Sequence, residues 1–170
     1  MQNPRKIEFG SDCLELLISS LLLEYPNEGC ALLIGDKKTI NSVTNQEIWE
    51  IDTIWPCCNI WEPETFKSIS WLIEKDTYDI QDLSRENRFA IDPQEQLHAN
   101  RWARENELLI LGSAHSHTSS QAIPSKLDIK MSIPNSLLVI VDQFGQAKIW
   151  WMGRERNSEP FELPFLQVAI

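Results

Sequence analysis

The chain has 170 residues, of which 42% are hydrophobic and 24% are charged, and this composition predicts one soluble globular domain over residues 1–170. Its formal net charge of −10 disfavours nucleic acid and anionic membrane surfaces as partners, because like charges repel. The four cysteines contain no C-x-x-C spacing and form no recognisable disulfide framework, which favours a reducing, cytoplasmic setting.

The N-terminal part of the chain predicts a strand followed by a helix. Lys6–Phe9 is a short strand candidate, and Ser11 offers an N-cap for a helix that ends at Pro26. Apolar residues recur at helical spacing after the cap: Leu14, Leu17, Ile18, Leu21 and Leu22. Asp12 and Glu15 interrupt this segment, which is also shorter than the roughly 20 residues of a membrane span, so a signal peptide or anchor is disfavoured.

A continuous apolar run follows. Cys30–Gly35 fits a strand that is buried on both faces, Asp36–Lys38 a turn, and Thr39–Thr44 a second strand. Glu28 lies just before the first of these strands. Taken alone, such a carboxylate is typical of an exposed loop.

The segment from Asn45 to Asn87 is the least regular by sequence. A helix is predicted over Pro63–Glu74, and Asp76–Arg88 resembles a loop, which at this length is usually functional or mobile. The segment holds four tryptophans: Trp49, Trp55, Trp61 and Trp71. They are compatible equally with core packing and with a flap that contacts a partner.

The C-terminal half alternates strands and helices. After a short strand at Arg88–Ile91, Asp92 and Pro93 fit the N-cap and first position of a helix that runs to about Asn106. Its expected inward residues are Leu97, Trp102 and Ala103. Three strands are predicted at Leu108–His115, Leu137–Asp142 and Lys148–Met152, with a turn at 143–146 and an edge strand in Phe161–Ile170. This mixture predicts a single α/β layer structure.

Two histidines lie at the C-terminal end of the buried strand predicted at Leu108–His115. Side chains alternate along a strand, so His115 and His117 point the same way. With the carboxylate of Asp128 they form the two-His, one-carboxylate set of a catalytic zinc site, in which zinc lowers the pKa of its bound water toward about 7. Ser125-x-x-Asp128 is also a capping-box pattern that starts a helix, and the two roles are compatible.

Hydrolysis at such a site needs a base for the proton of the water. No carboxylate inside the motif is available for this role, so the base must come from elsewhere in the chain. Ser125, or less favourably Ser116, is a candidate donor to the oxyanion. His98 is more typical of a helix surface than of a metal ligand.

These pieces resemble the JAMM motif of the JAB1/MPN zinc metallopeptidase family. That motif places a Glu before an upstream strand, here Glu28, and then H-[ST]-H, here His115-Ser116-His117. Seven intervening residues separate the second His from a Ser, and two more separate that Ser from an Asp, here Ser125 and Asp128. Phe89-Ala90-Ile91-Asp92-Pro93 before a helix is similar as well. The resemblance covers roughly residues 6–152.

The resemblance implies an α+β fold, a curved mixed β-sheet flanked by helices. It implies zinc held by His115, His117 and Asp128, with Glu28 as general base and acid and Ser125 as the group that stabilises the tetrahedral intermediate. It further implies a hydrolase of the metallopeptidase or isopeptidase type. Its substrate would be a protein or peptide, such as the C-terminal tail of a ubiquitin-like or sulfur-carrier protein.

The chain departs from the family pattern at two places. Thr118 replaces the Pro that commonly follows the second histidine, which predicts a change in loop stiffness and not in chemistry. The segment of residues 61–86 is longer than in the compact bacterial pattern. This predicts an insertion that affects substrate choice. The tryptophans and the apolar C-terminus are compatible with a homodimer.

Three alternatives compete with a zinc hydrolase. A non-catalytic MPN-type scaffold is disfavoured because such members typically lack the ligands and the Glu. A RadC-like, DNA-associated protein shares the histidine spacing but is disfavoured by the acidic charge and the Glu28 segment. A zinc deaminase requires H-x-E and P-C-x-x-C, whereas this chain has H-S-H and Pro56-Cys57-Cys58 without the second spaced Cys.

Overall fold

A computed structural model describes residues 3–41, 46–64, 83–154 and 159–167. These residues form one sheet and three helices. The strands are β1 (Lys6–Phe9), β2 (Cys30–Asn41), β3 (Gln46–Cys57), β4 (Leu109–Ser116), β5 (Ser136–Val141), β6 (Ala147–Met152), β7 (Phe161–Leu163) and β8 (Phe165–Gln167). The helices are α1 (Cys13–Leu22), α2 (Pro93–Glu105) and α3 (Lys126–Met131). Among the described residues no helix is long and apolar enough to cross a membrane.

The sheet is mixed and curls until its two edges meet. Its strand order is β7-β6-β5-β4-β2-β3-β1-β8, with parallel pairs at β1–β3, β1–β8 and β4–β5. β7 and β8 lie at opposite edges although only Pro164 separates them in sequence. Ile7 N–H donates to the carbonyl of Pro164 at 3.3 Å, and the rings of Phe9 and Phe165 meet edge to face at 5.9 Å. The tail therefore supplies a strand to each edge, where one edge strand was predicted.

Each face of the central strands is covered by a helix. On one face Leu17 and Leu21 of α1 are fully buried against a core that includes Leu33 and Trp49. Burying leucines of this kind stabilises the fold by about 1.5–3 kcal/mol per side chain. On the other face lie Ala99 and Ala103 of α2. Their small side chains bring that helix close to β2. The metal ligands described below lie on the α2 face.

β2 and β3 differ most from the sequence prediction. The predicted turn at Asp36–Lys38 is wrong, because β2 runs on through a bulge between Ile34 and Gly35 as far as Asn41. The strand predicted at Thr39–Thr44 therefore begins within β2, and its residues 42–44 lie outside the described residues. A Cβ at Gly35 would lie 1.8 Å from the carbonyl oxygen of Glu50, so glycine permits this close approach. β3, in the segment predicted to be irregular, pairs with β2 along almost its whole length.

Smaller differences concern helix ends. Asp12, and not Ser11, precedes α1, which ends at Leu22 before the predicted stop at Pro26. The N-cap at Asp92 is confirmed, since its side chain accepts from Gln94 N–H at 2.8 Å.

Three further sequence predictions are not confirmed: two are wrong, and one falls largely outside the described residues. The predicted strand at Arg88–Ile91 reduces to a single bridge between Asn59 and Ile91. Leu97, expected to face inward, is 68% exposed. Most of the predicted helix at 63–74, and residues 65–82 of the predicted insertion, lie outside the described residues.

Candidate metal centre

The end of β4 presents two imidazoles on one face of the sheet. His115 is fully buried and His117 is 6% exposed. Their Nε2 atoms lie 3.1 Å apart. His117 continues the pairing of β4 with β5, since its N–H donates to the carbonyl of Val141 at 2.8 Å. The alternation that the sequence predicted therefore brings both rings to one point.

Asp128, in the first turn of α3, completes the group. Its Oδ1 lies 3.6 Å from Nε2 of His115, and its Oδ2 lies 3.6 Å from Nε2 of His117. Tetrahedral zinc with bonds of about 2.0–2.1 Å requires ligand atoms about 3.3 Å apart. The three side chains therefore fit a single small cation, and among the described residues theirs is the one group of this kind.

Neighbouring groups fix the orientation of both histidines. Nδ1–H of His117 donates to the carbonyl of Gln121 at 2.8 Å, which leaves the Nε2 lone pair facing Asp128. The ring of His115 stacks on Phe89 with centroids 4.5 Å apart and planes at 23°. Trp150 Nε1–H donates to the carbonyl of Ala122 at 3.1 Å and so anchors the loop that carries Gln121.

The protonation states suit a metal. Burial lowers the pKa of His115 to about 4, so the imidazole is neutral at neutral pH. Burial alone would raise the pKa of Asp128, but the neighbouring His115 and His117 and the hydrogen bonds from Ser125 hold it below the ordinary range. A neutral imidazole beside an ionised carboxylate is the state that a divalent cation requires.

Ser125 and Asp128 also form the capping box that their spacing predicts. Ser125 Oγ accepts from Asp128 N–H at 3.1 Å, and Asp128 Oδ2 accepts from Ser125 N–H at 2.6 Å. One carboxylate thus caps α3 and faces the two histidines. Because Ser125 Oγ acts as an acceptor in the cap, that bond does not use its hydroxyl proton.

The pairing of β2 with β4 places Glu28 beside this group. Cys30 is paired with His115, and Ser116 N–H donates to the carbonyl of Gly29 at 3.0 Å. Continuing this antiparallel register puts Glu28 opposite His117 on the same face. Glu28 is only 6% exposed, so the expectation of an exposed loop carboxylate, based on this residue alone, is wrong.

The carboxyl group of Glu28 has an unusual protonation equilibrium. Burial is the main cause that raises its pKa to about 9, and the nearby negative charge of Asp128 adds to the shift. The positive charge of Arg88 partly opposes it. A strongly shifted carboxyl group in a cleft is typical of a functional site.

The backbone around Glu28 is fixed on both sides. Glu28 N–H donates to the carbonyl of Arg85 at 2.7 Å, and Gly29 N–H donates to Ser116 Oγ at 2.8 Å. Ser116 Oγ also donates to the carbonyl of Leu21 in α1 at 3.4 Å. Ser116 therefore points away from the histidine face, which disfavours it as an oxyanion donor relative to Ser125.

Two cavities flank the ligand group. The first, which we call the apolar groove, has a volume of about 260 Å³ and is bordered by Asp128. Its apolar lining includes Leu32, Trp61, Phe89, Leu127, Met131 and Leu138. The second, of about 300 Å³, is bordered by His117 and Thr118. Thr118, at the position where the motif commonly has Pro, donates from Oγ1 to the carbonyl of Glu86 at 2.6 Å.

Sequence reasoning found His115, His117, Asp128 and Ser125 from their spacing, and Glu28 only through the family motif. It missed Asn59, whose side chain donates to the carbonyl of Glu28 at 2.9 Å. An asparagine after two cysteines carries no periodic or spacing signal, so nothing in the sequence pointed to it.

Comparisons with known proteins agree with this fold. The family model described as prokaryotic homologs of the JAB domain matches residues 11–153. A solved structure from Desulfitobacterium hafniense is 21% identical with a TM-score of 0.70, and the alignment covers 96% of this chain and 94% of that one. One from Salinibacter ruber is 21% identical with a TM-score of 0.59, covering 95% and 91%.

A JAB1/MPN domain protein from Archaeoglobus fulgidus is 16% identical with a TM-score of 0.47, covering 94% of this chain and 98% of that one. No curated protein matches the chain. The mixed sheet flanked by helices is that of the JAB/MPN-like α+β fold. Since the family model spans most of its length, the chain belongs to the prokaryotic JAB domain family.

Proposed function

We propose that the protein is a zinc-dependent hydrolase that cleaves an amide bond in a protein or peptide. The observation that supports this most is the convergence of His115, His117 and Asp128 on one point beside the buried carboxyl group of Glu28. Zinc held there supplies a Lewis acid that polarises the scissile carbonyl, lowers the pKa of a bound water and, by its charge, favours the ionised form of Glu28.

Different side chains of the protein then transfer the protons and stabilise the charge that develops on the substrate. Glu28 takes a proton from the attacking water and returns it to the leaving amine, and a carboxyl group with a raised pKa suits the second step. Ser125 donates its hydroxyl proton to the oxyanion that develops on the substrate. The neutral, buried ring of His115 and the oriented ring of His117 hold the metal in place.

The substrate we propose is an extended tail of a protein. The apolar groove is bordered by Asp128, and its volume of about 260 Å³ suits side chains of a peptide rather than a folded domain. The tail of a ubiquitin-like or sulfur-carrier protein, which the family resemblance implies, has this character. Trp61, the first residue of the segment 61–86, borders the groove, and we propose that this segment tunes substrate choice. The free cysteines of the described chain are compatible with a cytoplasmic location.

The test is to incubate zinc-loaded protein with carrier-protein conjugates and with a peptide that ends in a Gly-Gly amide, and to follow cleavage by mass. Cleavage that a chelator stops and added zinc restores is expected. Glu28→Gln should keep zinc and lose hydrolysis, whereas Glu24→Gln, an exposed change four residues earlier, should keep both.

Two outcomes would contradict the proposal. Full activity of Glu28→Gln would assign the base elsewhere. A protein that binds zinc but cleaves none of the conjugates would favour the non-catalytic MPN-type scaffold instead.

A further inference from the structure

Asn59 is a buried asparagine two residues after the end of β3, and its amide nitrogen holds two separate segments together. It is 8% exposed. Its Nδ2 donates to the carbonyl of Glu28 at 2.9 Å and to the carbonyl of Arg88 at 2.8 Å. The carbonyl of Arg85 lies within reach of the same nitrogen, at 3.4 Å.

The oxygen of the same side chain is also satisfied. Asn59 Oδ1 accepts from Trp61 N–H at 3.0 Å and from Ala90 N–H at 3.2 Å. An amide side chain has two donors and two acceptor positions. All of them are used here, and every partner is a backbone group.

The segment that Asn59 holds in place, residues 85–90, contacts both Glu28 and the metal ligand His115. Its carbonyl at Arg85 accepts from Glu28 N–H at 2.7 Å. Its Phe89 stacks on the ring of His115. Ile60 N–H donates to the carbonyl of Ala90 at 2.9 Å, which continues the pairing beside Asn59. A shift of this segment would therefore move the backbone of Glu28 relative to the metal ligands.

We infer that Asn59 is a positioning residue, which by bonding the backbone of residues 28 and 85–90 holds the Glu28 carboxyl group in place for the proposed hydrolysis. This inference rests on the proposed function. Asn59 does not border the apolar groove, so its effect is exerted through Glu28 and not through substrate contact.

The informative variant is Asn59→Asp, which keeps the shape and the acceptor oxygen but replaces the two N–H donors with a second acceptor. Carboxylate oxygens facing the carbonyls of Glu28 and Arg88 repel them. Asn59→Ala removes all of the bonds without adding charge, and serves if Asn59→Asp does not fold. Asn100→Asp is the matched control, because it makes the same chemical change on the exposed face of α2, where Asn100 bonds only its own helix through Gln96.

With the fastest substrate from the conjugate screen, kcat of Asn59→Asp should fall by about 10- to 100-fold, as displacement of a reacting group by about 1 Å would cause. KM and bound zinc should change by less than about threefold, and Asn100→Asp should match wild type in every measurement. Wild-type kcat in both Asn59 variants would overturn the inference.

Hydrogen exchange gives a readout that is independent of turnover. The amides of residues 28 and 83–91 should exchange at least about tenfold faster in Asn59→Asp than in Asn100→Asp, because the segment that carries them loses the Nδ2 bonds that hold it in place. If the wild type cleaves no conjugate or Glu28→Gln remains active, the proposed function fails and exchange alone decides the positioning role. Unchanged hydrogen exchange in Asn59→Asp would overturn the positioning role. If hydrolysis needs Glu28 but kcat is unchanged in the Asn59 variants, the inference about Asn59 fails and the proposed function stands.

Discussion

The hydroxyl of Ser116 accepts a hydrogen bond from the backbone N–H of Gly29 at 2.8 Å, in the buried space between β4 and α1. Ser116 lies between the two histidines, but its side chain faces the opposite side of the sheet. A Cβ at Gly29 would lie 2.4 Å from the carbonyl oxygen of Leu21, so the start of β2 passes directly against α1. The middle residue of the H-S-H motif thus connects the Glu28 segment to the helix behind the sheet.

Replacing Ser116 should therefore affect stability more than metal binding. Ser116→Ala leaves the buried Gly29 N–H without its acceptor, which costs about 1–3 kcal/mol. We expect a lower urea midpoint with an unchanged slope and with full zinc content, while Ser116→Thr keeps the hydroxyl and retains most of the stability. Ser113→Ala, on the same strand, is the control and should stay within about 0.5 kcal/mol. A Ser116→Ala protein as stable as this control would show that the hydrogen bond contributes nothing.

The local parts of the site were predictable from sequence because they depend on residues close in the chain. Strand alternation fixed the common direction of His115 and His117, and the S-x-x-D spacing fixed both the cap and the position of Asp128. Each of these relationships spans only a few residues. A pattern read along the chain is sufficient to find them.

The parts of the fold and the site that join residues distant in sequence depend on how the strands pair. Glu28 resembles an exposed loop residue until the pairing of Cys30 with His115 brings it onto the ligand face. The same limit explains β2, where a close approach to Glu50 at the Gly35 bulge keeps the strand going through residues that favour a turn. The tail was placed at one edge because sequence alone gives no sign that the curled sheet brings both edges together.

Loss of a histidine from the group should abolish tight metal binding. Changing a residue behind a metal ligand typically lowers affinity by about 10- to 100-fold, and we expect His117→Ala, which removes a ligand, to lower zinc affinity at least about 100-fold. His98→Ala provides a matched control, because His98 is exposed on α2. Metal content by mass spectrometry and competition with a chromophoric chelator measure both. Zinc retained in His117→Ala, or lost in His98→Ala, would place the metal elsewhere.

Ser125 has two roles that one variant can separate. Ser125→Ala removes the acceptor for Asp128 N–H, and loss of such a cap costs about 1 kcal/mol of stability. If the same hydroxyl also donates to the oxyanion, kcat should fall by about 10²- to 10³-fold with zinc retained. Ser136→Ala, at the start of β5, removes a hydroxyl that donates to the carbonyl of Ile133 and should leave kcat unchanged. A stability loss without a loss of kcat would restrict Ser125 to capping.

Stability of the metal-free protein should depend on pH through Glu28. The pKa of its carboxyl group is raised from 4.5 to about 9, so between these values the folded state holds a proton that the unfolded state has lost. Stability therefore falls as pH rises, by at most about 1.4 kcal/mol per pH unit. His115 acts in the opposite direction, because its lowered pKa of about 4 makes stability rise with pH up to about 6.5.

The window from pH 7 to 8.5 isolates Glu28 from His115, since the imidazole is neutral there in both states. Urea unfolding in the presence of a chelator should give wild-type protein a lower free energy of unfolding at pH 8.5 than at pH 7. Burial also raises the pKa of the Cys13 thiol, so part of the slope comes from groups other than Glu28. Glu28→Gln keeps that part and removes the rest, because its amide does not titrate. Equal slopes in the two proteins would show that Glu28 does not hold a proton in the folded state, and that the buried carboxyl group is ionised without the metal.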